Sequence, residues 1–124
     1  MRLYLQTADD WCRLWLNDKL FERQFGRELS KNLLRFLQQS LESEGRGWSD
    51  LDGIVVFRGP GSYTSLRIGI TVANTLADGL RIPIVGSSGE NWRAEGDGLL
   101  KEQTAPQVIT PIYYQDAVIT QPRK

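Results

Sequence analysis

The chain of 124 residues sets 15 Lys and Arg against 15 Asp and Glu, with one cysteine and no histidine. Such a length builds one domain, and an even charge without a basic tract argues against gripping nucleic acid alone. A single cysteine excludes an internal disulfide framework and fits a reducing, cytoplasmic setting, and no apolar run approaches the ~20 residues of a membrane span.

Residues 2–7 alternate, with Leu3 and Leu5 on one side and Tyr4 and Gln6 on the other; they do not form the basic and apolar regions of a signal peptide. Residues 11–16 alternate again and group Cys12, Leu14 and Leu16. After the polar turn Asn17-Asp18-Lys19, residues 20–25 carry Phe21 and Phe25 on one face, so the three runs read as an antiparallel meander. Residues 28–44 read as a helix, with Leu29, Leu33, Leu34, Phe36, Leu37 and Leu41 at helical spacing. Their arc of roughly 160° exceeds the ~100° stripe of a surface helix. It suits either a helix wedged inside its own chain or one that also meets a partner.

Gly45-Arg46-Gly47 ends that helix, and residues 51–57 give a β-branched strand of the kind covered on both faces. A second helix is predicted over 65–80, ended by Gly79, with Gly69, Ala73 and Ala77 forming a strip of small side chains that permits close packing. A short strand, Ile84-Val85, completes a parallel crossover. Beyond it the pattern fails. Residues 87–105 are polar, with Trp92 and Leu99-Leu100 as isolated apolar points. The chain therefore divides into a lobe over 1–88, a polar linker over 89–107 and an extended tail over 108–124. In the tail Val108-Ile109, Pro111 to Tyr114 and Val118-Ile119 read as edge or surface segments.

The absence of histidine removes the commonest general acid/base and every Ser-His or Cys-His nucleophile pair. Zinc would be left with carboxylates, which it rarely accepts alone. Magnesium needs only oxygen ligands, so Asp9, Asp10, Asp50 and Asp52 are either solvated turn residues or metal ligands. The richest motif is the glycine turn after Phe57. Gly59, Pro60, Gly61, Ser62 and Thr64 lead directly into the second helix, which Ser62 and Thr64 can cap. The turn matches neither the P-loop nor the dinucleotide fingerprint. An anion site and a tight, well-capped turn both fit it.

The run Gly59-Pro60-Gly61-Ser62-Tyr63-Thr64-Ser65-Leu66-Arg67-Ile68-Gly69 resembles the GPGSFTGLRIG signature of the TsaB (YeaZ) family. The likeness extends through residues 1–88, and Pro111 to Tyr114 with Ile119 to Lys124 resembles the closing segment of that family. The resemblance implies an α/β fold: a single actin-like (ribonuclease-H-like) lobe with a mixed sheet of about five strands and two main helices. It further implies that 89–107 replaces the second lobe of the family.

By the same resemblance the chain is a non-catalytic scaffold in tRNA threonylcarbamoyladenosine biosynthesis, with no metal and no cofactor of its own. Its partner is a TsaD-like protein, with a TsaE-like ATPase in the complex, tRNA contacted only indirectly, and a homodimer formed when alone. The two helices would make the partner contact, through Leu33, Phe36, Leu37, Ile70, Ala73 and Ala77. The signature residues Gly59, Pro60, Gly61, Ser62, Thr64 and Arg67 would serve an anion or that interface. Gln6 departs from the aspartate of the family's first strand, Leu29 from a histidine found in many members, and Ser65 from a signature glycine. These departures weaken catalysis and leave scaffolding. Two other readings are a small nucleotide- or phosphate-binding enzyme using the 59–64 turn, and a purely homodimeric module.

Overall fold

A computed structural model of the chain describes residues 1–103 and 107–112. The expected meander is β1 (Arg2–Gln6), β2 (Trp11–Leu16) and β3 (Lys19–Gln24), antiparallel with Leu5 opposite Leu14 and Leu14 opposite Phe21. Strand β4 (Gly53–Phe57) runs parallel to β1, and β5 (Ile84–Ser87) runs parallel to β4. One mixed sheet results, in the order β3-β2-β1-β4-β5.

The period-2 alternation sorts side chains onto two faces. Leu3, Leu5, Cys12, Leu14, Leu16, Ile54, Val56 and Ile84 join one core with α1 (Leu29–Ser43) and α2 (Tyr63–Leu80). Tyr4, Val55, Phe57 and Val85 join a smaller core on the opposite face. All five residues of β4 are buried, as a strand covered on both sides requires.

That second cover is α3 (Trp92–Glu102), which lies within the stretch expected as a polar linker. The segment lacks the periodic apolar stripe that marks a helix in sequence. A single tryptophan supplies the anchor instead: buried Trp92 meets Tyr4, Trp15 and Phe57 edge-on, with ring centroids 6.4, 5.7 and 5.6 Å apart. Gly96 brings the helix down onto the sheet, where a Cβ would collide with Val55.

Helices α1 and α2 end alike. In α1, Gly45 (φ 68°) donates to the Glu42 carbonyl and Arg46 to that of Leu41. In α2, Arg81 (φ 58°) donates to Asp78 and Ile82 to Ala77. Both are the paired bonds of a Schellman ending. The second therefore falls at Arg81, two residues beyond the expected Gly79, and places an arginine in the left-handed conformation. The end of the expected linker and the start of the expected tail, residues 107–112, have neither helix nor strand, yet Ile109 is buried in the α1/α2 core. The strands expected around Tyr113-Tyr114 and Val118-Ile119 lie outside the described residues.

Candidate functional site

The glycine turn joins the end of β4 to the start of α2, and its small residues are used for close approach within the chain. A Cβ on Gly61 would sit 2.8 Å from both the Cβ and the carbonyl oxygen of Ala8; one on Gly59 (φ 113°) would collide with the Ile112 carbonyl. The Gly59–Pro60 peptide is cis. Ser62 stands at the N-terminus of α2, but its side chain makes no capping bond; its backbone N–H donates to Ala8 at 2.8 Å. The expected side-chain cap is thus replaced by backbone docking onto the β1–β2 connection. Pro60, Ser62, Thr64 and Arg67 are exposed, and Arg67 donates to the Tyr63 hydroxyl at 3.5 Å.

Thr7 links the turn to the sheet. Its hydroxyl donates to the Ser65 carbonyl at 2.8 Å, and a Cβ on Gly69 would collide with its Oγ1. Of the small-residue strip, Gly69 therefore seats α2 on its own sheet, and Ala73 and Ala77 are buried in the core that the sheet shares with α1 and α2. Ser65, in place of the signature glycine, has a buried hydroxyl without a hydrogen-bond partner among the described residues.

Leu33, Phe36, Leu37, Ile70, Ala73 and Ala77, expected at a partner surface, are each at most 5% exposed and belong to the internal core. Apart from Leu34, the wide apolar arc of α1 is covered by the sheet, by α2 and by aromatic neighbours such as Phe25, whose ring meets Phe36 at 5.5 Å. What the helices leave outside is different. Ile68, Val72, Leu76 and Leu80 recur every four residues on α2, lie against the core and remain partly exposed, and Leu34 on α1 is 50% exposed. Residues four apart share one helix face, so α2 carries a continuous aliphatic line with one side open.

The four aspartates do not converge. Asp9 and Asp10 follow the C-terminal end of β1, whereas Asp50 and Asp52 precede the N-terminal end of the neighbouring parallel strand β4, at the opposite end of the strands. Asp9 pairs with Arg13, Asp50 accepts the Gly47 N–H, and Asp52 pairs with the N-terminal amine. No group of three or more carboxylate or thiol side chains is placed to hold a metal among the described residues. Cys12 is fully buried, which pushes its thiol up to about 12 and removes its nucleophilicity near neutral pH. A groove of about 940 Å³ opens beside the C-terminal half of α2 and the start of β5, lined by Asn74, Ala77, Asp78, Arg81, Ile84 and Val108; the glycine turn is not part of it.

The family model described as TsaD, tRNA N6-adenosine threonylcarbamoyltransferase, matches residues 21–112. The Escherichia coli protein named tRNA threonylcarbamoyladenosine biosynthesis protein TsaB is 35% identical over 99 residues, covering 76% of this chain and 42% of that protein. The Bacillus subtilis protein of the same name is 46% identical over 80 residues, covering 58% and 35%. The chain belongs to the TsaD/TsaB family, on its TsaB (YeaZ) branch. Its lobe superimposes on YeaZ from Pseudomonas aeruginosa with a TM-score of 0.63 and 28% identity, over 77% of this chain and 49% of that one. The actin-like, ribonuclease-H-like architecture follows. This TsaB-family chain spans less than half the length of those relatives. No helix among its described residues is long and apolar enough to cross a membrane.

Proposed function

We propose that this TsaB-family chain is a non-catalytic subunit of tRNA threonylcarbamoyladenosine biosynthesis in the cytoplasm. It binds and activates a TsaD-like protein through the outer faces of α1 and α2. The observation that carries this reading is the line Ile68, Val72, Leu76 and Leu80, partly exposed above a core already filled by Leu33, Leu37, Ile70 and Ala73. Continuous apolar surface of this kind usually marks an interaction site. The pathway comes from the names of its relatives.

Several features favour scaffolding over chemistry. Gln6 replaces the aspartate of the first strand, the aspartates sit at opposite ends of β1 and β4, and the space beside Gly59 and Gly61 is filled by Ile112 and Ala8. In this reading residues 89–107 stand in place of the second lobe of longer relatives, with α3 covering the sheet. A TsaE-like ATPase completes the complex, tRNA is met only through the partner, and the same helix face pairs two copies when the partner is absent.

The test mixes the chain with the TsaD-like protein of the same organism and reads mass by light scattering. A heterodimer is expected, weakened about 100-fold by Leu76→Glu or Val72→Glu, since a few central apolar residues usually dominate binding. Circular dichroism of each variant must match the parent. Undiminished binding by folded variants would remove the interface, and a homodimer indifferent to the partner would leave a self-associating module.

A further inference from the structure

The segment 107–112 is separated from the rest of the lobe in sequence, yet four hydrogen bonds fasten it at two places. The Asn74 amide on α2 donates to the Ile109 carbonyl at 2.9 Å and accepts the Ile109 N–H at 3.0 Å. That side chain pairs with an extended backbone as a neighbouring strand would. Farther along, Arg58 Nε donates to the Thr110 carbonyl at 2.8 Å, and the Ile112 N–H donates to the Arg58 carbonyl at 2.6 Å. Arg58 is the residue between β4 and the glycine turn.

Apolar contacts reinforce the fastening. Ile109 is 7% exposed and joins the α1/α2 core. It lies over Gly86, where a Cβ would be 2.7 Å from Ile109 Cγ2 and would run into the Arg58 side chain. The Ile112 carbonyl fills the space that a side chain on Gly59 would need. Within 107–112 there is no helix or strand to hold the segment by itself. Its conformation therefore depends on what it grips.

We propose that residues 107–112 form a latch that fixes the glycine turn and α2 relative to each other. Docked, the latch holds Arg58 and Gly59 through Thr110 and Ile112 while Asn74 ties the same segment to the middle of α2. Undocked, the turn loses its bonds with Thr110 and Ile112 and keeps those of the Arg58 N–H to Ser87 and the Ser62 N–H to Ala8. The latch extends the reading above by naming what sets the helix that carries the proposed partner line. Its test uses the chain alone, so neither idea falls with the other.

The experiment is hydrogen–deuterium exchange on the whole chain, comparing the parent with Asn74→Ala and Gly86→Ala. The first removes both amide bonds to Ile109; the second keeps every hydrogen-bonding group and pushes from beneath. Each lost hydrogen bond contributes modestly, so exchange across 58–66 is expected to quicken about tenfold. Exchange in β1 to β3 is expected to stay at the parent rate. Unchanged exchange across 58–66 in either variant, or an equal rise in β1 to β3, would overturn the latch.

Discussion

On one side of the sheet two long helices bury Leu29, Leu33, Leu37, Leu41, Ile70, Ala73 and Ala77 in an aliphatic core; on the other, an eleven-residue helix rests on Trp92. The first layer has many small contributions, so no single residue defines it. The second concentrates its contacts in one indole among Tyr4, Trp15 and Phe57, with Gly96 allowing the approach and a polar group at the rim. At that rim Asp97 accepts from Arg2 at 2.8 Å and from the Tyr4 hydroxyl at 2.7 Å. Distributed packing leaves a periodic trace in sequence; a single anchor does not.

The largest expected effect breaks the two layers in different ways. Trp92→Ala removes a buried aromatic worth about 3–5 kcal/mol, and Leu37→Ala a buried leucine worth about 2–5 kcal/mol. The first should release α3 alone, giving an early loss of near-ultraviolet dichroism and helicity while the α1/α2 core still melts cooperatively. The second should lower a single global transition. A single shifted transition for Trp92→Ala would show that the layers fold as one unit.

A smaller effect concerns the rim. Burial first, and then the hydrogen bond to Asp97, push the Tyr4 hydroxyl up to about 12, so its contribution is present below pH 10 and lost between about 10 and 12. Partial burial alone would raise the Asp97 carboxyl; the bonds from Tyr4 and Arg2 outweigh it and hold the group below its ordinary value. That contribution is present above the ordinary carboxylate range and disappears as pH falls through and below it. Asp97→Asn should cost about 1 kcal/mol at neutral pH, the pair being partly exposed, and should flatten the acid limb of a stability–pH curve. An acid limb unchanged by the substitution would place its origin elsewhere.

The smallest effect lies within the aliphatic layer, at the two matching helix ends. Gly45 is free to take positive φ, whereas Arg81 does so against its Cβ. Arg81→Gly should therefore raise stability by about 0.5–1 kcal/mol, with the flexibility of glycine in the unfolded chain offsetting part of the relief. Thermal melts of the two proteins suffice; a lower Tm would mean that the arginine makes contacts that outweigh the backbone cost.

The legible parts were those with a repeat. Alternation at Leu3/Leu5 and Cys12/Leu14/Leu16 located the meander and its buried face, and helical spacing located α1 and α2 to within two residues. Trp92 was visible only as an isolated aromatic point, because Gly96 and Gly98 lower helix propensity and the stretch carries no stripe. Which apolar helix positions lie inside is not legible in the sequence for a related reason. Apolar character marks Leu37 and Leu76 equally, and only the position of the sheet decides that Leu37 is inside while Leu76 keeps an open side.

By itself the sequence determined the strand–helix order as far as β5, the glycine turn and, through its resemblance, the family, since each rests on neighbouring residues along the chain. Tertiary structure alone decided that α3 covers the second face, that Asn74 grips Ile109 and that Gly69 faces Thr7. Those contacts join residues dozens of positions apart, and burial is set by what arrives from elsewhere in the chain, which no local pattern encodes.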